Sequence, residues 1–325
     1  MINPDSSDPG KPRKPTETVQ FITVPADEAG RRLDNYLMSL APGVPRSRIY
    51  RAIRSGEVRI DKGRTKASYR LKAGDMVRVP PLRLPSKTKP SAGSKARETL
   101  LGTIIEKHKS YFVLNKPSGW AVHGGSGVSL GVIETLRQAL PAEHKLELVH
   151  RLDRSTSGCL LIARKRSFLR EMHRQIREDE MGKNYLMLVK GHWHHGRHIC
   201  EVPLKTEERR GGERYVIPHP HGKYCRTDFE FLDHFGGVSF LRATLHTGRT
   251  HQIRVHCAHM GYPILGDDRY GDEDLEAFTQ RLKIRRLCLH ASSLSFEFPE
   301  GNPVQFDAPL SPEMVNLIER LSPRR

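Results

Sequence analysis

The sequence predicts an α+β protein in which a large domain, a mixed and largely antiparallel sheet with flanking helices, follows a smaller domain. Three observations predict this arrangement. A chain of 325 residues is longer than one domain commonly is, strand-like runs alternate with helical stretches after residue 100, and a Pro-, Ser- and Lys-rich stretch interrupts the chain near residue 90. We therefore expect two domains joined near that stretch.

Two segments are expected to lack a packed core. Residues 1–18 contain four prolines and little apolar content, so they cannot bury enough surface to offset the entropy of ordering and are predicted to be a disordered tail. Residues 83–99 carry five positive charges and one negative charge among prolines and serines. That composition is typical of a solvated linker.

Residues 19–82 predict a small domain of two helices and short strands. The second helix opens near Ser47, after a proline, and can turn Ile49 and Ile53 toward the core. Three arginines of this helix fall toward the opposite side: Arg48, Arg51 and Arg54. Such a face is either merely solvated or a contact for RNA. "GEVRID" and "GDMVRV" then predict short strands, each opened by a glycine.

Residues 100–325 predict the large domain. Strand-like runs lie on both sides of the helix "SFLREMHRQIREDE", for which Ser167 is the expected N-cap. The runs are "YFVLNK", "LELVH", "CLLIAR", "KNYLMLVKG", "FEFLDHF", "VSFLRATLHT" and "LHASSLSFEF". Runs of this length and order favour a mixed, largely antiparallel sheet covered by helices.

Charge and composition point toward a class of partner. The chain has 54 Lys and Arg against 37 Asp and Glu, a formal net charge of +17. A balance this basic indicates a polyanion such as nucleic acid, although an unspecific basic surface would give the same count. No apolar run approaches the length of about 18 to 20 residues that crosses a bilayer. We expect a cytoplasmic protein without a membrane segment.

Several kinds of site are not expected. The five cysteines lack CxxC spacing, which argues against a disulfide framework and a zinc ribbon. No HExxH occurs, and His256 with His259 lacks a third ligand, so we expect no metal. "HGGSG" at 123–127 is not followed by GxxxxGK, so no nucleotide cofactor is expected. The sequence contains no extended apolar stripe that would pack against a second copy of the chain, so we expect a monomer.

One loop carries an acid among cations. In "LVHRLDRSTSGCLLIARK", residues 148–165, Asp153 stands between two strand-like runs. Asp153 fits two readings: a turn or cap whose carboxylate binds backbone N–H groups, or a reacting group. Nearby Arg151 and Arg154 could hold it ionised, and an ionised carboxylate can act as a nucleophile or base.

This loop also carries a family resemblance. "HRLDRSTSG" resembles the HRLDxxTSG signature of the RluA-type pseudouridine synthases. "VLNKPSG", "KNYLMLVKG", "TGRTHQIRVHCAHMGYPILGDDRYG" and "LCLHASSLSFEFP" stand in that family's order. Residues 19–82 resemble an S4 domain, a small RNA-binding module. "HGGSG" together with this S4 layout is similar to the RluC subclass, which modifies 23S ribosomal RNA.

The resemblance implies that the chain isomerises uridine to pseudouridine in RNA, 23S ribosomal RNA in particular, without a cofactor. It implies that Asp153 is the essential aspartate, that Tyr185 stacks on the flipped base and that Arg254 pairs with the aspartate. Arg151 would enter the RNA stack where the uridine leaves, and His150 of the same signature would contact RNA. Leu289 would flank the base. No metal is implied.

Other readings of these residues remain open. Tyr185 alternates with its neighbours in a strand and would fit a core position, Arg254 could pair locally, and Arg249 is a rival for its ion pair. The stretch 205–231 departs most from the family pattern, so its RNA contacts are not implied. Two other functions fit the features: a non-catalytic ribosome-assembly factor that binds RNA, and an RNA N-glycosidase with a similar carboxylate.

Overall fold

The computed structural model describes residues 18–82, 91–125, 128–143, 145–208, 214–298 and 301–322, in two units divided after Pro90. The predicted tail over residues 1–18 lies outside the described residues except for Thr18. No helix within the described ranges is long and apolar enough to cross a membrane.

The first unit places two helices on one face of a small antiparallel sheet. Its elements are β1 Gln20–Thr23, a 3-10 turn Ala26–Glu28, α1 Leu33–Leu40, α2 Arg46–Arg54, β2 Arg59–Ile60, β3 Gly63–Arg64 and β4 Met76–Val79. The strands are ordered β1-β4-β2-β3. Leu33, Leu37, Ile49 and Val77 form the centre of the core. The apolar face of α2 is thereby buried, as its spacing predicts.

The second unit is built on a ten-stranded sheet ordered β10-β13-β14-β9-β15-β8-β6-β5, with β16 on β15 and β7 on β8. Its strands are β5 Ile104–Lys107, β6 Tyr111–Lys116, β7 Glu147–Leu148, β8 Ser157–Ala163, β9 Gly182–Lys190, β10 Arg197–Cys200, β13 Thr227–Phe235, β14 Val238–Leu245, β15 Leu289–Glu297 and β16 Pro303–Asp307. Strands β11 Leu204–Glu208 and β12 Arg214–Pro218 form a separate hairpin. The helices are α3 Ser94–Leu101, α4 Val132–Ala139, α5 Arg166–Arg177, α6 Gln252–His259, α7 Glu273–Arg281 and α8 Pro312–Leu321.

Only the pairing of β8 with β15 is parallel within the described part of this sheet, and its other neighbouring strands are antiparallel. The predicted fold class, a mixed and largely antiparallel sheet with flanking helices, is confirmed. A glycine makes the parallel pair possible. Gly158 has φ +109°, and a Cβ there would lie 2.1 Å from the carbonyl oxygen of Ala291. The loop before β8 is therefore held beside the start of β15.

Two local predictions need correction. The predicted linker over 83–99 ends earlier in the structure, because α3 begins at Ser94 and Leu100 is fully buried in the large core. Ala92 N–H also donates to Gln138 Oε1 at 2.8 Å, so this unit begins before residue 100. The second correction concerns α5, which begins at Arg166 without a side-chain cap. Ser167 is therefore inside the helix.

Candidate active site

The loop between β7 and β8 brings Asp153 to the wall of a cavity. Its side chain is 22% exposed. A cavity of about 80 Å³ is lined by Asp153 together with Tyr185 of β9, Leu289 of β15 and Arg254 of α6. Residues far apart in the sequence thus meet at one point, and Asp153 and Arg254 also line an adjoining cavity of about 730 Å³.

Arg254 is the cation beside the Asp153 carboxylate. Its Nη1 lies 3.8 Å from Asp153 Oδ2, within the distance of an ion pair. This is the arginine that the resemblance implies, whereas the two arginines next to Asp153 in the chain are elsewhere: Arg154 Nε donates to Gly119 O at 3.0 Å, and Arg151 is exposed at the cavity wall. Among the residues that the structure describes, neither of these two arginines forms an ion pair with Asp153. Its ion pair thus comes from Arg254 and not from its neighbours in the chain.

Arg254 itself is fixed by a second aspartate. Its Nε and Nη2 donate to Asp267 Oδ2 and Oδ1 at 2.8 and 2.6 Å, and both side chains are almost fully buried. Asp267 also accepts the N–H groups of Arg269 and Tyr270 at 3.0 Å each. Burial opposes ionisation of Asp267, but the hydrogen bonds from Arg254 outweigh it and hold its pKa below the usual value. The pair is therefore ionised on both sides.

His251 approaches the other carboxylate oxygen. Its Nε2 lies 3.8 Å from Asp153 Oδ1, and its Nδ1 is 2.7 Å from the hydroxyl of Tyr270. Burial lowers its pKa, against the opposing charge of Asp153, so a neutral ring is expected near pH 7. His251 has φ +53° at the start of α6, a left-handed conformation that is uncommon for a residue with a side chain. This conformation places its ring next to Asp153.

Sequence reasoning missed Asp267, His251 and Tyr270. All three lie in the quoted stretch "TGRTHQIRVHCAHMGYPILGDDRYG", but nothing in their spacing distinguishes them from other polar residues. The rival reading of Arg249 is also resolved by the structure. Its Nε donates to Tyr224 O at 3.1 Å, and within the described ranges it forms no ion pair with Asp153.

Tyr185 lies in the middle of the sheet between two small neighbours. It is directly opposite Ala243 of β14 and Ala291 of β15, so neither cross-strand side chain covers its ring broadly. The residue is 8% exposed and lines the same cavity as Asp153. Burial raises the pKa of its hydroxyl strongly, and the Asp153 charge adds to this. Tyr185 is therefore both part of the core and a wall of the cavity.

The other residues predicted to contact RNA lie in the loop before β8 and in helix α2. His150 does not line either cavity at Asp153: its Nε2 accepts the N–H of Leu161 at 3.1 Å, and burial lowers its pKa to about 4. This hydrogen bond makes His150 a structural support for β8. In α2 of the first unit, Arg51 and Arg54 are exposed, whereas Arg48 Nη2 is 2.8 Å from Glu57 Oε2.

Lys116, at the end of β6, is fully buried and joins two loops. Its Nζ donates to the carbonyl oxygens of Pro117 at 2.9 Å, Trp120 at 2.8 Å and Arg154 at 3.3 Å. Burial lowers the pKa of this ammonium group to about 7. The lysine thereby ties the turn after β6 to the loop that carries Asp153.

Lys116→Met is expected to destabilise the fold by about 1–3 kcal/mol, because buried carbonyl oxygens lose their donor. Urea unfolding at several pH values measures this. The folded-state pKa of about 7 lies below the ordinary value of 10.5, so the unfolded chain binds more protons between these values and wild-type stability rises with pH across that window. The variant lacks this contribution. The same pH slope in both proteins would contradict the assignment.

The chain is similar to proteins of known family. The chain matches the S4 domain model over residues 31–77 and the RNA pseudouridylate synthase model over residues 110–259. It is 46% identical over 308 residues to the ribosomal large subunit pseudouridine synthase C of Pasteurella multocida strain Pm70, covering 94% of each chain. For the protein of the same name from Escherichia coli K12, identity is 43% over 311 residues, covering 94% of this chain and 98% of that one.

A solved structure adds to the same result. Human RNA pseudouridylate synthase domain containing 1 aligns with a TM-score of 0.56 and 26% identity, covering 66% of this chain and 86% of that chain. Asp153, Tyr185 and Arg254 all lie inside the range 110–259 that matches the family model.

Proposed function

Because the chain belongs to the RNA pseudouridylate synthase family, we propose that it isomerises uridines to pseudouridine in large-subunit ribosomal RNA, 23S ribosomal RNA in bacteria. One observation carries this proposal: Asp153, Arg254, Tyr185 and Leu289 line a single cavity. The relatives named above as ribosomal large subunit synthases support the choice of RNA. An S4 domain over residues 31–77 fits an RNA substrate as well.

The proposed reaction begins with a uridine turned out of the RNA stack, since a stacked base is out of reach of the enzyme. Asp153 either attacks C1′ or removes the C2′ proton, and the bond from N1 to C1′ breaks. The base then rotates and C5 bonds to C1′, while Asp153 leaves C1′ or returns the proton to C2′. C5 loses its proton and N1 gains one, so the product is an isomer of the substrate. Such a reaction requires no redox group and no phosphoryl donor.

Each neighbour of Asp153 has a proposed part in this reaction. Arg254 pairs with the carboxylate at 3.8 Å, Tyr185 stacks its ring on the turned-out base and Leu289 contacts the base on another side. Arg151, exposed at the cavity wall, would take the place that the uridine leaves in the stack. We propose a monomer as the active form.

The proposed domain organisation and location follow the same argument. We place an S4 domain in residues 19–82 and the catalytic domain in the unit that begins at Ser91. All five cysteines are free thiols, which fits the cytoplasm, where this reaction would take place. A non-catalytic assembly factor is not favoured, because the relatives named above are synthases and the carboxylate lies in a cavity.

One experiment tests the function directly. The full chain is incubated with a transcript of large-subunit ribosomal RNA, and pseudouridines are mapped by chemical modification and reverse-transcription stops. New stops with no release of uracil are expected. Free uracil with an abasic ribose would instead identify an N-glycosidase. The absence of both products would contradict the proposed activity.

Tyr185 is expected to act through its ring and not through its hydroxyl. Tyr185→Leu should lower kcat/KM by about 10- to 100-fold, because a base stacked on an aromatic ring is worth roughly 1–3 kcal/mol. Tyr185→Phe, which keeps the ring, is the matched control and should retain most of the activity. Single-turnover rates on the same transcript measure both. Equal losses in the two variants would refute the stacking role.

A further inference from the structure

Three arginines form a row across the open face of the first unit's sheet. Arg64 of β3 lies directly opposite Arg59 of β2, and Arg59 lies directly opposite Arg78 of β4. Arg78 in turn lies opposite Phe21 of β1. Because neighbouring strands are about 4.8 Å apart, the three arginines span roughly 10 Å.

The three arginines of this row do not stabilise the sheet. Like charges directly opposite each other destabilise a sheet, and among residues 18–82 none of the three arginines forms an ion pair. Two carboxylates line the neighbouring cavity: Glu57, which pairs with Arg48, and Asp61, whose Oδ1 accepts the N–H of Met76 at 3.0 Å. Arg59 is fixed by donation to backbone carbonyls, such as that of Gly56 at 3.1 Å. The cationic side chains around this cavity therefore outnumber its two carboxylates.

Apolar side chains stand beside these charges. Phe21 is 63% exposed and Met76 is 44% exposed. Both line a cavity of about 920 Å³ together with Arg59, Arg78 and Lys62. Exposed aromatic rings within a cationic groove are what unpaired nucleic acid requires, since its bases stack on the rings while its phosphates meet the cations. Duplex RNA would leave Phe21 without a base to contact.

We propose that this sheet face binds an unpaired segment of the RNA substrate, away from the nucleotide that reacts. The proposal rests on the proposed function for the identity of that RNA. Helix α2 packs its apolar side against the opposite face of the sheet, and Arg51 and Arg54 are exposed on that helix. The small domain thus offers RNA two separate basic surfaces, of which the sheet face is the one that selects single-stranded RNA.

The test compares two double variants of the full chain. Arg59→Gln with Arg64→Gln removes two charges of the row, and Lys66→Gln with Lys72→Gln removes two exposed charges elsewhere on the same unit. With a large-subunit ribosomal RNA transcript, the row variant should raise KM and leave kcat at saturating RNA near the wild-type value. The slope of log Kd against log salt should be smaller than that of the wild type by about 1.4, the value for two single-strand phosphate contacts.

Phe21→Ala distinguishes unpaired RNA from other occupants. Because its side chain is largely exposed, the variant should unfold like the wild type, and its affinity should fall about tenfold, within the range expected for one lost base stack. Wild-type affinity in Phe21→Ala overturns the single-strand assignment. Equal behaviour of the two double variants overturns the site as a whole. A loss seen only on ribosomal particles, with naked RNA bound normally, would identify a protein partner and overturn the RNA assignment.

Wild-type turnover, measured in parallel, separates this proposal from the proposed function. If the wild type forms pseudouridine and the row variant matches the lysine variant, only the sheet-face proposal fails. If the wild type forms no pseudouridine in the transcript, the proposed function fails independently of the binding measurements. Thermal unfolding of each variant identifies any loss that comes from folding.

Discussion

Asp153→Asn is expected to reduce pseudouridine formation at least about 1,000-fold, the scale on which enzymes lose activity without their reacting group. The amide has nearly the same shape as the carboxylate, but it can neither attack C1′ nor accept a proton from C2′. The nitrogen atoms of His251 and Arg254 approach the Asp153 carboxylate only to 3.8 Å, so the fold should tolerate the change. RNA affinity should stay close to that of the wild type.

A neighbouring acid provides the control for Asp153. Asp268 Oδ1 lies 3.5 Å from Nη2 of the same Arg254, yet its side chain is 92% exposed. Asp268→Asn removes one negative charge from the same region and should retain most of the activity. Single-turnover assays and RNA binding by the two variants give the comparison. Appreciable turnover by Asp153→Asn, or equal losses in the two variants, would exclude Asp153 as the reacting group.

Asp267→Ala is expected to destabilise the protein by about 3–5 kcal/mol, because breaking a buried ion pair leaves the other charge without compensation. Arg254 would lose both of its short hydrogen bonds and with them its fixed position beside Asp153. Activity should therefore fall together with stability. Denaturant unfolding, combined with turnover measured well below the midpoint, separates the two effects. Wild-type stability in the variant would contradict the assignment.

The difference in unfolding free energy between the wild type and Asp267→Ala is expected to depend on pH in one direction. The folded-state pKa of Asp267 lies below its unfolded value, so the unfolded chain binds more protons in acid. The contribution of Asp267 is thus fully present above about pH 4, the ordinary aspartate value, and is lost as pH falls through the lower folded-state pKa. The gap in stability between wild type and Asp267→Ala should narrow in that acid range.

The sequence predicts the architecture and the members of the candidate site better than it predicts the contacts that hold them. Strand-length runs and turn residues indicate the mixed sheet, "HRLDRSTSG" points to Asp153 and "KNY" points to Tyr185. Neither periodicity nor spacing reveals which cation faces Asp153. Arg151 and Arg154 are its neighbours in the chain, but the loop turns them elsewhere, and α6 supplies Arg254 from a hundred residues further on.

Asp267 shows a second limit of the sequence. It is one of two consecutive aspartates, and only the fold decides that Asp267 is buried while Asp268 is exposed. The linker error has a similar cause. The composition of residues 83–99 is that of a solvated segment, but Leu100 is buried in the core and the helix that carries it starts at Ser94.

The double hydrogen bond between Arg254 and Asp267 has a consequence over a full turnover. If Asp153 becomes an ester or a protonated acid during the reaction, it gives up its negative charge. If Asp153 were its only counter-charge, the buried Arg254 guanidinium would then have no negative partner. Because Asp267 neutralises Arg254 throughout the turnover, Asp153 can lose its charge and regain it while Arg254 and its neighbours keep their positions.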